Sequence, residues 1–112
     1  MCLFCKIASK QIPSKMLFED DDLFAFHDIN PGAPTHLLVI PKIHISSMND
    51  ATPDHQALMG KLLLAGPRAA KLAGLDKSGF RLVVNTGNDA GQSVHHVHLH
   101  VLGGRAMAWP PG

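Results

Sequence analysis

The segment "HHVHLH", residues 95–100, holds four of the eight histidines of this 112-residue chain. In a β-strand alternate side chains point to opposite faces, so His96, His98 and His100 would share one face. An imidazole titrates near neutral pH and can act as a nucleophile, exchange a proton or bind a metal ion. The spacing therefore predicts a catalytic row or a metal site, whereas an isolated histidine would more simply be a surface or hydrogen-bonded core residue.

The segment "NTGNDAGQS", residues 85–93, directly precedes the histidines. Glycines allow backbone N–H groups to surround phosphate oxygens, although the same residues alone would indicate an ordinary turn. Beside the histidines, the segment favours catalysis on an anion such as a phosphate. A metalloenzyme would need a further ligand, often a carboxylate, and no Asp or Glu follows Asp89. Asp28 and His36 lie upstream and keep that alternative open.

The elements that must position these residues are short. Apolar patterns predict strands at "KMLFE", "LFAFHD", "HLLVIP", "FRLVVN" and the histidine segment, and a short helix near residues 3–9. Thr52 and Pro53 begin one long helix, in which Gly66 and Pro67 predict a kink. Polar turns join most neighbours, so we expect a single α+β domain with a five-stranded, largely antiparallel sheet, one long helix and a short N-terminal helix.

Charge and hydropathy exclude some classes of partner. Ten Lys and Arg against nine Asp and Glu give a formal net charge of +1, without the basic excess that sequence-independent nucleic-acid binding requires. The start of the chain does not resemble a signal peptide, and no run approaches the roughly 18 apolar residues of a membrane span. We therefore expect a cytoplasmic protein that binds neither nucleic acid nor membrane.

The segment "HVHLHVL" resembles the His-φ-His-φ-His-φ-φ signature, with φ hydrophobic, of the histidine triad (HIT) family of nucleotide hydrolases and transferases. "AFHDINPGAPTHLLVIPK", "GFRLVVNTG" and "WPPG" are similar to its nucleotide-binding (Hint-like) branch. The resemblance implies one HIT domain over residues 1–112 and a homodimer with joined sheets, the tail at about 103–112 reaching toward the partner. It also implies cleavage of purine nucleoside phosphoramidates to AMP and an amine, without a cofactor in catalysis.

The resemblance assigns catalytic roles by position. His98 would attack the α-phosphorus and form a nucleotidyl-histidine intermediate. The carbonyl of His96 would accept the other N–H of His98, while His100 would lie near the leaving group or a non-bridging oxygen and His36 would complete the cluster. The phosphate oxygens would be held by Asn85, Gly91, Gln92 and Ser93.

The nucleoside would be held by a second set of residues that the resemblance implies. Asp28 would accept hydrogen bonds from the ribose hydroxyls. Trp109 would shape the choice of leaving group from the tail. The base pocket would be lined by Phe4, Ile7, Ile12, Phe26, His27 and Ile29, which on their own would indicate simple core.

Cys2 and Cys5 supply at most half of a tetrahedral zinc shell. Similarity to bacterial members of the family implies that His44 and His96 complete it as a structural site. The alternative is a pair of free thiols in the first helix.

Three other activities compete with phosphoramidate hydrolysis. A nucleotide-binding or zinc-binding regulatory module would need little turnover, and a dinucleoside polyphosphate hydrolase would share the nucleophile and phosphate cradle. Nucleotidyl transfer between sugar phosphates and nucleotides is disfavoured, because that branch of the family usually carries glutamine in place of the last triad histidine.

Overall fold

The computed structural model describes residues 2–112. Two α-helices and five strands follow one another along the chain, and two short 3₁₀ turns at residues 48–50 and 53–55 precede the long helix. The elements in chain order are α1 (Leu3–Ala8), β1 (Met16–Glu19), β2 (Leu23–His27), β3 (Thr35–Pro41), α2 (Gln56–Leu72), β4 (Phe80–Val83) and β5 (Leu99–Gly103).

The five strands form one sheet in the order β1-β2-β3-β5-β4, with every neighbouring pair antiparallel. A tight turn joins β1 to β2, where the Asp20 carboxylate accepts hydrogen bonds from the N–H groups of Asp22 and Leu23 at 2.8 and 2.9 Å. The predicted α+β fold, with one long and one short helix, is confirmed.

Both faces of the sheet are covered, which explains the continuous apolar run of β3. Leu37 and Val39 pack in the core beneath α2, whereas Leu38 and Ile40 pack in a second core beneath α1. The alternation of side chains along β3 thus serves two hydrophobic layers. The candidate site lies on the α1 side.

The long helix approaches the sheet closely at Gly66. A Cβ at this position would lie 2.8 Å from Cδ2 of Leu82 and 3.1 Å from Cδ2 of Leu99, so only glycine fits without displacement. Pro67 lies inside a helix that runs unbroken from Gln56 to Leu72, and the kink predicted there stays a prediction. Gly74 follows the helix with φ +79°, the left-handed conformation typical of a helix end.

The histidine segment differs from the sequence prediction, because β5 begins only at Leu99. His96 and His98 lie in the loop before it. The physical reason is a change of partner: the N–H of Val97 donates to the carbonyl of Ile45 at 2.7 Å, beyond the end of β3. Strand β4 likewise ends at Val83, opposite His100, short of the predicted end at residue 85.

Candidate functional site

A pocket of about 300 Å³ opens on the α1 face of the sheet. Its apolar walls come from α1, β2 and β3 through Phe4, Ile7, Phe26 and Leu38. Two of the triad histidines lie along its polar wall. The residues predicted for the nucleoside that line the pocket are Phe4, Ile7, Ile12, Phe26, His27, Asp28 and Ile29, and Ser93 of the predicted phosphate cradle lines it too.

His98 lines the pocket with its ring almost completely buried, at 4% exposure. Its Nδ1 lies 2.7 Å from the carbonyl oxygen of His96. Because a carbonyl can only accept a hydrogen bond, the proton of the neutral ring is on Nδ1 and the lone pair is on Nε2. Burial lowers the pKa of His98, which keeps this ring neutral and nucleophilic at physiological pH.

His100 has the opposite tautomer, fixed through His36. The N–H of Gly32 donates to Nδ1 of His36 at 2.9 Å, so the proton of neutral His36 is on Nε2. That nitrogen lies 2.9 Å from Nδ1 of His100, which must therefore accept. The proton of His100 is left on Nε2, which lies 3.5 Å from Nδ2 of Asn85. Because both groups donate, this tautomer requires the Asn85 carboxamide to turn its oxygen toward the ring.

The neutral state of His100 follows from its surroundings. Burial lowers the pKa of His100 to about 4, and the neighbouring rings of His98 and His36 oppose a further positive charge. The ring centroids of His98 and His100 are 4.9 Å apart. The site thus presents a lone pair on His98 beside an N–H on His100, and main-chain groups fix both.

Asp28 lies at the edge of this cluster. One carboxylate oxygen accepts a hydrogen bond from the N–H of Asn30 at 2.9 Å, and the other lies 3.5 Å from Nε2 of His36. The ligand atoms of Asp28, His36 and His100 all lie within 4.8 Å of one another, as a metal site would require. However, Nε2 of His36 is the nitrogen that carries the proton. The hydrogen bonds therefore favour a chain of donors over a metal site here.

A second cluster brings together the four predicted zinc ligands. Sγ of Cys2 lies 3.3 Å from Sγ of Cys5 and 3.3 Å from Nδ1 of His96, and the Nδ1 atoms of His44 and His96 are 3.2 Å apart. Tetrahedral zinc, with Zn–S of about 2.3 Å and Zn–N of about 2.0 Å, spaces its ligand atoms roughly 3.3 to 3.8 Å apart. The four side chains fit such an ion.

The outer nitrogens of both imidazoles support the same assignment. Nε2 of His96 lies 2.7 Å from the carbonyl oxygen of Pro41, and Nε2 of His44 lies 3.3 Å from Oγ of Ser46. A proton on each Nε2 leaves both Nδ1 lone pairs free for a metal, as is usual for metal-binding histidines. The ring of His96 therefore belongs to this cluster, and only its carbonyl reaches His98.

The remaining predicted residues lie outside the pocket. The side chain of Gln92 accepts from Gly87 N–H at 3.0 Å and donates to the carbonyl of Ser46 at 2.7 Å, so it braces the loop. Gly91, with φ +76°, shapes the turn before it. Trp109 is 81% exposed. The roles of these residues toward phosphate and leaving group stay predictions.

The sequence did not predict several residues that line the pocket. The unpredicted lining residues are Leu3, Pro13, Ser14, Lys15, Asn30, Leu38 and Val94. Leu38 had a signal, because it alternates with core positions on β3. Ser14 and Lys15 had none, since the irregular link between α1 and β1 has no periodicity to read.

An antiparallel sheet, with a buried histidine of fixed tautomer just before strand β5 and beside an apolar pocket, is what the histidine triad class predicts. The HIT domain profile matches residues 9–107, and the chain belongs to the HIT domain family. The structure of a HIT family hydrolase from Legionella pneumophila Philadelphia 1 superposes with a TM-score of 0.97 at 51% identity, covering all of both chains.

Curated relatives agree. Protein HitA of Neisseria gonorrhoeae is 50% identical over 102 residues, which cover 91% of this chain and 94% of that protein. The 14 kDa zinc-binding protein of Brassica juncea is 46% identical over 112 residues, which cover 98% of each chain. The family resemblance drawn from the sequence is confirmed.

Proposed function

We propose that the protein hydrolyses purine nucleoside phosphoramidates through a covalent nucleotidyl-histidine. The observation that carries the proposal is the pair of opposite tautomers: Nε2 of His98 offers a lone pair, while Nε2 of His100 offers an N–H. A nucleophile beside a hydrogen-bond donor suits attack on a phosphorus whose oxygens gain negative charge. The name of the Legionella pneumophila relative, a HIT family hydrolase, supports hydrolysis.

In the first step Nε2 of His98 bonds to the α-phosphorus and the P–N bond to the amine breaks. The Nδ1–H of His98 stays bonded to the carbonyl of His96, which stabilises the positive charge that the ring acquires. Nε2–H of His100 donates to a phosphate oxygen. The departing amine takes up a proton that comes from water, and the Ser93 hydroxyl in the pocket lining can relay it by giving up one proton as it receives another. Water then cleaves the P–N bond to His98 and releases AMP.

The nucleoside occupies the apolar part of the pocket in this proposal. The purine packs among the apolar residues of α1 and β2, and the Asp28 carboxylate accepts from the ribose hydroxyls. The catalytic steps need only these side chains and no metal. Dinucleoside polyphosphates would meet the same nucleophile, so the test must compare P–N with P–O–P substrates.

A fluorogenic adenosine phosphoramidate, assayed without added divalent metal, tests the proposal. We expect the wild type to release amine and AMP, and His98→Ala to fall to the buffer rate while still binding AMP. His95→Ala is the matched control, because His95 is exposed and does not line the pocket. Turnover by His98→Ala would remove the nucleophile assignment. AMP binding without turnover by the wild type would favour a binding module.

We also propose that Cys2, Cys5, His44 and His96 hold a structural zinc ion. The spacing of the four ligand atoms and the oxygen partners of both outer imidazole nitrogens support it. The relative from Brassica juncea is named as zinc-binding. When bound, zinc would tie α1 to the loop that carries His96.

We also propose that the protein forms a homodimer, because an edge strand and exposed leucines offer a surface for a second copy. Strand β4 is an outer strand of the sheet formed by residues 2–112, and Leu63, Leu64 and Leu72 of α2 are 56%, 75% and 57% exposed. An open strand edge near exposed leucines suits a second copy of the chain. Such a partner would also give Trp109 a neighbouring site to reach. In the described part of the chain, no helix has the length and apolar character to cross a membrane, and a cytoplasmic location stays a prediction.

A further inference from the structure

The tail after β5 contacts the loop that fixes the ring of His36. One terminal nitrogen of the Arg105 guanidinium, Nη2, donates to the carbonyl oxygen of Gly32 at 3.2 Å. The N–H of the same glycine donates to Nδ1 of His36 at 2.9 Å. Nε2 of His36 in turn lies 2.9 Å from Nδ1 of His100, which lines the pocket. A continuous path of hydrogen bonds therefore runs from Arg105 to the donor in the pocket.

Further contacts hold Arg105 in place. Gly104 has φ +92°, and a Cβ there would lie 2.9 Å from Cβ of Pro34, so the main chain of the tail passes directly against the loop. The other terminal nitrogen of Arg105, Nη1, donates to the carbonyl oxygen of Ala106 at 3.1 Å and to Sδ of Met107 at 3.5 Å. The rigid fork of a guanidinium can use its two nitrogens in different directions, whereas a lysine has one nitrogen for all of these acceptors.

Gly32 is the point in this path that needs support from outside the loop. It is exposed and has no side chain, so its two peptide groups can rotate more freely than those of other residues. A hydrogen bond to its carbonyl oxygen restricts that rotation and keeps its N–H directed at His36. Arg105 supplies this bond.

The direction of the Gly32 N–H determines the tautomers of both rings. If this N–H turned away, Nδ1 of His36 could carry the proton, and Nε2 of His36 would then face Nδ1 of His100 as an acceptor. To keep the bond, His100 would have to carry its proton on Nδ1. The two rings would change tautomer together, and Nε2 of His100 would offer a lone pair where the proposed reaction needs an N–H.

We propose that Arg105 is a positioning residue that fixes the tautomers of His36 and His100 through the main chain of Gly32. This inference rests on the proposed function, in which Nε2–H of His100 donates to a phosphate oxygen. Because the guanidinium bonds to main-chain oxygens and Arg105 does not line the pocket, its loss should lower kcat and leave ligand affinity unchanged.

The first test observes the tautomers directly, by heteronuclear NMR of the protein with isotope-labelled histidine at neutral pH. We expect the wild type to carry the proton on Nε2 of both His36 and His100. Arg105→Met keeps the aliphatic stem without the donors and should show a mixture with the Nδ1–H forms. Arg81→Met is the matched control and should match the wild type, because Arg81 donates to a different carbonyl of the tail, that of Ala108, at 2.9 Å.

The second test asks whether the effect passes through His36. In the assay with the adenosine phosphoramidate, Arg105→Met should lower kcat about 3- to 10-fold, the value of one net hydrogen bond. Calorimetry should give the wild-type affinity for AMP. In a His36→Asn background, which has no ring to orient, Arg105→Met should change kcat no further, since two changes on one path are not additive.

Four outcomes would overturn the inference. Unchanged tautomers in Arg105→Met, or the same mixture in Arg81→Met, would show that Arg105 does not control the two rings. Weaker AMP binding that Arg105→Lys restores would indicate attraction of phosphate by charge. A full additional fall of kcat in the His36→Asn background would indicate a route that bypasses His36. If the wild type bound AMP without turnover, the proposed function would fail, and the NMR comparison would still decide the role of Arg105.

Discussion

Two clusters in this molecule contain residue types that bind metals, and they differ in the hydrogen-bond partner of the ring nitrogen that points away from the cluster. In the cluster of Cys2, Cys5, His44 and His96, each histidine has an oxygen at its outer nitrogen. In the cluster of Asp28, His36 and His100, the outer nitrogen of His36 faces the N–H of Gly32. An oxygen that accepts from the outer ring nitrogen holds the proton there and leaves a lone pair on the nitrogen inside the cluster. An N–H that donates to the outer nitrogen leaves the proton of the neutral ring on the nitrogen inside the cluster.

The difference teaches that ligand type and proximity do not by themselves define a metal site. Within each of the two clusters, all ligand atoms lie within 4.8 Å of one another. The outer hydrogen bond decides whether the inner nitrogen receives a cation or donates a proton. One main-chain N–H thus separates a cluster suited to a metal ion from a hydrogen-bond chain that holds a proton between two rings.

The largest expected effect is on zinc content. The wild-type protein should contain one zinc per chain by elemental analysis, and Cys5→Ser should contain almost none, because three ligands remain and one of the two thiolates is lost. Asp28→Asn is the matched change in the other cluster and should leave the content at one. Two zinc ions per chain, with the second lost in Asp28→Asn, would break the comparison.

The next effect is on turnover, through the donor chain. His36→Asn keeps an oxygen near the acceptor position facing Gly32 but removes the donor to His100, so kcat should fall on the order of 100-fold. His36→Gln places an amide N–H near the lost donor and should retain more activity. Both variants should keep one zinc and bind AMP as the wild type does. Equal rates for the two would show that the donor to His100 is unimportant.

The smallest effect is on stability at acid pH. In the unfolded chain His100 regains a pKa near 6.5, whereas in the fold its pKa is about 4. Above about pH 6.5 both states are neutral and the full stability is present. Below it the unfolded chain binds a proton that the folded chain refuses, so the free energy of unfolding falls until about pH 4.

His100→Gln should remove part of this loss, roughly 1 to 2 kcal/mol between pH 7 and pH 4.5 after discounting for partial exposure of the ring. Chemical denaturation of both proteins in a chelator removes the pH-dependent binding of zinc, and the titration of His96 is common to both proteins and cancels in the comparison. His36, His98 and Asp28 face the same ring and persist in the variant. A stability difference between the two proteins that did not change with pH would show that His100 does not titrate as described.

The sequence predicted the elements well and the site in part. Strong apolar runs and punctuating Gly and Pro residues placed the sheet and the long helix, and the family resemblance supplied seven of the residues that line the pocket, Phe4, Ile7, Ile12, Phe26, His27, Asp28 and Ile29. The strand limits at His96 and His98 were wrong, because the tertiary partner of Val97 is a loop carbonyl that no local pattern encodes. The tautomer of His100 depends on its contact with His36, 64 residues away in sequence, which no local pattern encodes.

His96 divides its two tasks between side chain and main chain. Its ring faces the thiols, whereas its carbonyl orients the ring of His98. Every amino acid has that carbonyl, so a substitution at position 96 can abolish the metal ligand while the acceptor for His98 remains in the chain. A change of one codon at this position would therefore separate the proposed metal site from the main-chain acceptor of His98, which any residue there supplies.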